Sequence, residues 1–243
     1  MGRCIYLRKG EVHTPPVVGI KAGDLPIGQI VKLMEGGVET EFIVVNQGIP
    51  ENSSLYDASC NGTWLLRKDI KENRAWNSSN VNDYANSTIH SYLNSTFLAL
   101  FDANTQEAIK QVKVPYRQGS GASETVTSGE NGLSAKIFLL SGAEVGLTSN
   151  DASHLPNNEG AKLNYFESGT GTSAKNKRIA YLSTSAASWW LRSPVCLLAK
   201  SAYNVLSDGS ANGSECSYSH GVRPALIIPS TSIFDPTTYL LKK

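Results

Sequence analysis

The sequence predicts an α+β domain built from short strands, two main helices and long ordered loops. Three observations point there. Apolar residues make up 40% of the chain and charged residues only 18%. Ser, Thr, Asn and Gly crowd long stretches between brief apolar runs, and only one region, Ser87 to Gln111, carries a helical period. With 243 residues the chain is long enough to bury a real core. Lys and Arg number 22 against 21 Asp and Glu, a net charge of +1 without a basic block. That balance argues against nucleic acid and anionic membrane as partners.

Residues 1–27 read as an N-terminal arm, because Pro15, Pro16 and Pro26 interrupt a stretch with no periodicity. The segment Met1 to Gly10 lacks the apolar core of a signal peptide, so synthesis in the cytoplasm is expected. No run approaches the roughly 18 apolar residues of a spanning helix. Gln29 to Met34 and Glu39 to Asn46 are β-prone runs around Glu35, Gly36 and Gly37, which is a hairpin signal. Thr63 to Leu66 gives the next strand and leads into an Asn-rich passage from Asn73 to Asn86.

A helix is expected after Ser87, where Ile89, Tyr92, Leu93 and Phe97 fall at helical spacing behind a capping serine. A second is expected from Asn104, with Glu107 three positions on to complete a capping box. Val112 to Tyr116 and Lys136 to Leu140 return to strand, and Ser141 with Glu144 forms another capping pair. Thr148 to Lys177 lacks periodicity and reads as an ordered functional loop. The last strands are Ile179 to Leu182, Trp189 to Arg192, Tyr203 to Leu206 and Ala225 to Ile228. Asp208-Gly209 is a turn between two of these strands, and residues 235–243 read as a tail.

Four cysteines, Cys4, Cys60, Cys196 and Cys216, are too few for a disulfide scaffold and contain no zinc-type CxxC pair. Cys196 and Cys216 flank one short segment; a bridge between them and two separate thiols are both open, since four cysteines allow three full pairings. Six Asn-x-Ser/Thr triplets, at Asn52, Asn61, Asn77, Asn86, Asn94 and Asn212, are what chance supplies in so Asn- and Ser-rich a chain.

The C-terminal third carries Trp189-Trp190-Leu191-Arg192-Ser193-Pro194, then Ser207-Asp208-Gly209-Ser210, then Gly221-Val222-Arg223-Pro224-Ala225-Leu226. Upstream stand Trp76-Asn77-Ser78-Ser79, the two helices and the Lys136 to Ser141 strand. This order resembles a domain family of bacteria and their phages that shares the C-type lectin fold with the formylglycine-generating enzymes. The resemblance spans about Gly28 to Pro229 and implies a domain over residues 28–234. Some members of that fold are variable proteins of diversity-generating retroelements, in which a block between two fixed motifs is rewritten.

By that resemblance the block is residues 195–220. Its implied ligand-binding residues are Val195, Leu197, Leu198, Lys200, Ser201, Tyr203, Asp208, Glu215, Ser217, Tyr218 and His220. The block mixes apolar, charged and aromatic side chains without alternation, as a diversified surface does. Trp189, Trp190, Arg192, Gly221 and Arg223 are expected to be scaffold. The tryptophans are expected to alternate, one inward and one toward the face, with indole N–H groups holding loop backbone. Arg192 and Arg223 offer donor forks that pin carbonyls or a carboxylate.

Other motifs carry less. Asp208, Ser210, Asn212 and Gly213 open like a calcium loop, but Ser219 stands where a bidentate Glu belongs. The histidines, His13, His90, His154 and His220, are scattered, with His90 expected on the helix surface. No metal or cofactor is expected. The sequence thus predicts a non-enzymatic ligand- or receptor-binding protein, phage- or prophage-encoded, located on a virion or cell surface, with a protein or glycan partner. A rival reading is a virion assembly protein that forms a homo-oligomer through the arm. A third, a formylglycine-generating-type oxidase, needs Cys196 and Cys216 to work together.

Overall fold

Several strand candidates of this chain, such as Thr63 to Leu66 and Ala225 to Ile228, are apolar almost throughout instead of alternating, which is the signature of strands buried on both faces. The computed structural model describes residues 19–120 and 125–242 and bears this out. Trp64 and Leu66 point into one core, which also holds Phe138 and Trp189. Leu65, between them, points into a second core with Phe97 and Trp190. With strand outweighing helix 33% to 16%, the architecture is α+β.

The first sheet comprises β1 (Ile30–Glu35), β2 (Val38–Gln47), β3 (Thr63–Arg67), β5 (Ile137–Phe138) and β10 (Ala225–Ile228), in the order β5-β10-β3-β2-β1. All its pairs are antiparallel. Gly36 (φ 62°) and Gly37 (φ 78°) turn β1 into β2, two left-handed positions that glycine takes without steric cost. The second sheet comprises β4 (Asn73–Ala75), β6 (Trp189–Pro194), β7 (Ser201–Val205), β8 (Ala211–Glu215) and β9 (Ser219–Gly221), in the order β8-β7-β6-β9-β4. Short two-stranded ribbons complete the fold, including Ile20–Lys21 on Ile233–Phe234.

Among the described residues, three α-helices accompany the sheets. Ser87 caps α1 (Thr88–Tyr92) by accepting from the His90 N–H, as the sequence predicts. The chain then continues through a π-turn over Leu93–Phe97. There Asn94 bonds the main chain of Lys136 and Ile137, and so closes the end of β5. The cap of α2 (Ala103–Ala108) is Asp102 and not Asn104: the Asp102 carboxylate accepts from Thr105 N at 2.8 Å. Periodicity gave no sign of α3 (Thr172–Arg178), whose start has no side-chain cap and whose buried Arg178 breaks the apolar stripe.

The final residues, read as a tail, pair instead with the domain: Leu240 bridges Lys32 of β1, and Leu241 bridges Phe234 of the ribbon. The first 18 residues of the arm, with Cys4 and His13, lie outside the described residues. No helix among the described residues is long and apolar enough to cross a membrane.

Where the two sheets meet, β6 departs from its neighbour. Trp190 pairs with Asn204 and Pro194 with Ala202, so between these pairs three residues of β6 oppose one of β7. This bulge lets the Arg192 N–H reach Leu140 O at 2.8 Å and aims the Arg192 side chain into the interior. Its guanidinium meets Glu144 in a fork, Nη2 to Oε1 at 2.8 Å and Nη1 to Oε2 at 3.0 Å, and Nη1 also donates to Leu139 O. Both side chains are fully buried.

Ser141 and Glu144 do cap one another, Ser141 N on Glu144 Oε2 and Glu144 N on Ser141 Oγ, but they close a turn and not a helix. Glu159 completes the cluster. Its carboxyl accepts from the main-chain N–H of Arg117 and from the Ser193 hydroxyl, and Arg192 Nε lies 4.0 Å away.

Burial pushes the Glu159 carboxyl up to about 7, against the pull of Arg192 and the Ser193 hydroxyl. Because the folded pKa exceeds the unfolded one, the folded state holds a proton between pH 4.5 and 7 that the unfolded state has released. Glu159 therefore favours folding below that window, and its contribution declines as pH rises through it. Denaturant unfolding at pH 5 and pH 7.5 is expected to show a larger loss of stability with rising pH for the wild type than for Glu159→Gln. Parallel pH profiles would contradict this.

Candidate functional site

The second sheet displays two loops at one end. The first, residues 195–200, joins β6 to β7; the second, residues 216–218, joins β8 to β9. They are tied directly, Cys216 N donating to Lys200 O at 2.7 Å. Leu197, Leu198 and Lys200 stand exposed on the first loop, Ser217 and Tyr218 on the second, and Glu215 at the end of β8 that leads into it. Leu197, Leu198 and Tyr218 are 55%, 52% and 57% accessible, half of the large apolar side chains exposed among the described residues. Isolated exposed apolar side chains are ordinary; here three stand on two adjoining loops.

The remaining residues of the block do not join them. Val195 and Tyr203 are buried in the first core, so neither is a ligand contact. Val195 turns inward just past the end of β6 and Tyr203 does so within β7, where its hydroxyl accepts from His154 N. Ser201 is half-buried at the start of β7. Asp208 sits at the opposite end of β7, about 16 Å away at the usual strand rise. There its carboxylate binds Ser210 and Lys175, and the Ser210 bonds hold it down to about 2. Gly209 (φ 82°) beside it has no room for a Cβ, which would lie 2.1 Å from Lys175 O.

His220 is half-buried, edge-on to Trp190 at 4.6 Å, with Nε2 3.1 Å from Ser214 Oγ. Burial lowers its pKa. Ser214 also bonds Asn204 Oδ1 and accepts from Asn212 Nδ2, so His220 belongs to a small polar cluster on β7 and β8. His90, expected on the helix surface, is also half-buried, tilted against Tyr84.

The frame residues are all interior. Trp189 and Trp190 do face opposite ways, but the second does not reach a ligand face: each fills one of the two cores. Their indole N–H groups donate to Arg178 O and Arg74 O, both at 2.9 Å, and Trp76 donates likewise to Leu191 O. Arg223 donates to the carbonyls of Arg67 and Lys68, and lies over the Trp189 ring at 4.9 Å. Gly221 packs where a Cβ would strike Ile70 and Ser188 O.

Cys196 and Cys216 do not bond to each other. The strand β7 lies between the strands that lead to them, which separates their main chains by two strand spacings, about 9.5 Å. Burial pushes the Cys216 thiol up to about 12. Among the described residues, no group of three His, Cys, Asp or Glu is placed to hold a metal.

Sequence reasoning missed the support beneath the loops. It comes from the Asn-rich passage: Asn80 Oδ1 accepts from Ser217 N, Asn80 Nδ2 donates to Glu215 Oε2, and Asn77 N donates to Cys216 O. Asn82, fully buried, bonds the first loop. Asn80 is left-handed (φ 55°), a conformation asparagine tolerates better than most residues, so clustered asparagines were the available signal. Beside the second loop lies a polar hollow of about 540 Å³, walled by Arg74, Ser78, Thr88 and Ser219 among others.

Two buried cores carry a surface of loops held by main-chain bonds. Residues 61–230, well over half of the chain, match the family described as a domain of unknown function, DUF6273, and the chain belongs to that family. No curated protein and no solved structure matches it.

Leu197 has φ 74° at the third position of the turn Val195 to Leu198, which favours glycine. Its side chain is mostly in solvent, so little packing compensates the strain. Leu197→Gly is expected to leave stability unchanged or to raise it by about 1 kcal/mol, measured by chemical denaturation. A clear loss of stability would mean that Leu197 is a packing residue.

Proposed function

We propose that this protein is a non-enzymatic binding protein that recognises a protein or glycan on a cell surface through Leu197, Leu198, Lys200, Glu215, Ser217 and Tyr218. The observation that carries this reading is the clustering of Leu197, Leu198 and Tyr218 in solvent on loops whose main chain is tied down from below. Lys200 and Glu215 flank them as a polar rim, the anatomy of an interface with a few dominant anchors. In this reading the scaffold is C-type lectin-like and the segment 195–220 is the diversified block of a phage- or prophage-encoded variable protein. The buried residues Val195, Tyr203 and Cys216 then stay fixed, and diversity falls on the exposed positions of the two loops.

Catalysis has little support. The oxidase reading needs Cys196 and Cys216 as neighbours, and β7 intervenes. The assembly reading rests on the arm, most of which lies outside the described residues.

A glycan and protein array probed with the wild type and with a combined alanine variant at Leu197, Leu198, Lys200, Glu215 and Tyr218 tests the surface. The variant is expected to keep its thermal midpoint and lose the array signals. Tyr218→Ala alone is expected to weaken each by about 2 kcal/mol, roughly thirty-fold. Identical profiles would remove these residues from the site. Diversification predicts a near-copy of the DNA encoding the block, differing mainly at adenines, beside a reverse transcriptase gene.

A further inference from the structure

The first loop is a closed ring of main-chain bonds. Leu198 N donates to Val195 O, Ser201 N to Leu198 O, and Val195 N back to Ser201 O. Two successive turns are thereby locked head to tail, and the three accepting carbonyls converge. At their focus sits one atom, Asn82 Nδ2, which lies 3.2 Å from Val195 O, 3.0 Å from Leu198 O and 3.2 Å from Ser201 O. Two amide hydrogens serve three oxygens, so at least one bond is shared. Asn82 N also donates to Ala199 O. Asn82 itself is fully buried, and its own carbonyl accepts from Arg117 Nη1. None of the loop's side chains takes part in these bonds.

We infer that Asn82 is the positioning residue of the display surface: its amide fixes residues 195–201 through main-chain atoms alone, so the loop keeps one shape whatever side chains it carries at 197, 198 and 200. This rests on the reading of the loop as a ligand surface but is tested without ligand. Three carbonyl oxygens pointing at one place repel one another unless a donor stands among them. A carboxylate in that place adds a fourth source of negative charge and supplies no hydrogen. Asn82→Asp is therefore the sharpest perturbation at constant shape, and protonating that Asp returns one donor.

Main-chain amide exchange on the full chain reads the outcome, for wild type, Asn82→Asp, Asn82→Ala and the combined variant Leu197→Ser, Leu198→Asn, Lys200→Thr. At pH 7.5 the amides of Leu198 and Ser201 are expected to exchange at least ten-fold faster in both Asn82 variants than in the wild type. The strands Trp189–Leu191 and Ala225–Ile228 keep their protection. Lowering the pH to 4 restores part of the loop's protection in Asn82→Asp and none in Asn82→Ala, once intrinsic rates are divided out. The wild type at each pH serves as the reference for other titrating groups, Glu159 beyond Arg117 included. The combined loop variant is expected to match the wild type.

Unchanged loop protection in Asn82→Asp overturns the inference. So does a loss spread equally over the strands, failure to fold included, and so does a combined variant whose loop loosens as much as the Asn82 variants. A clamp confirmed in this way with blank arrays would instead count against the binding reading alone.

Discussion

The fork between Arg192 and Glu144 is the constraint on which the arrangement of this molecule depends. It joins β6, at the centre of the second sheet, to the turn that follows β5 of the first, and it does so with no solvent to soften the charges. Glu159 brings the long loop 148–171 to the same point through Ser193 and Arg117. Burial disfavours the charged form of Arg192, but Glu144 and Glu159 outweigh it and raise its pKa. Such a cluster stabilises only when every partner is in place, because removing one strands a buried charge. Its geometry is therefore a fixed reference for everything built on β6.

From that reference the chain reaches the surface in two steps. The bulge in β6 places Arg192 inward and lets Pro194 and Val195 rejoin β7, so the first display loop starts from a clamped position. The Asn77 to Asn82 passage then holds both loops, mostly through their main chain. Asn80 also bonds a side chain of the segment, that of Glu215. Rigidity beneath and freedom at the exposed side chains are what a binding surface of changeable sequence requires.

Much of the frame was legible in the sequence, for physical reasons. Gly36 and Gly37 announce a turn that needs two left-handed residues, Ser87 announces a helix start, and the Trp189 to Pro194 motif announces a strand too costly to expose. The loops were partly legible. Leu197, Leu198 and Tyr218 look out of place in a polar segment and are exposed, whereas Val195 and Tyr203 look the same in sequence and are buried. Periodicity could not separate them because β7, which holds Tyr203, is buried on both faces and shows no alternation, and Val195 lies in a loop that has no period. Glu159 gave no signal, since a lone glutamate in a polar loop carries no mark of what it meets in space. Asn104 was mistaken for the cap of α2 because an acceptor two residues earlier, Asp102, offers the same chemistry without a glutamate at the expected spacing.

A double-mutant cycle on Arg192 and Glu144 tests the dependence most directly, with Arg192→Met, Glu144→Met and the pair compared by denaturant unfolding. Each single variant leaves one charge buried without its partner, while the double variant removes both. A coupling on the order of 3 kcal/mol, with the double variant more stable than either single one, is the predicted result. Additive losses would show that the two residues act independently and that the frame is held by packing alone.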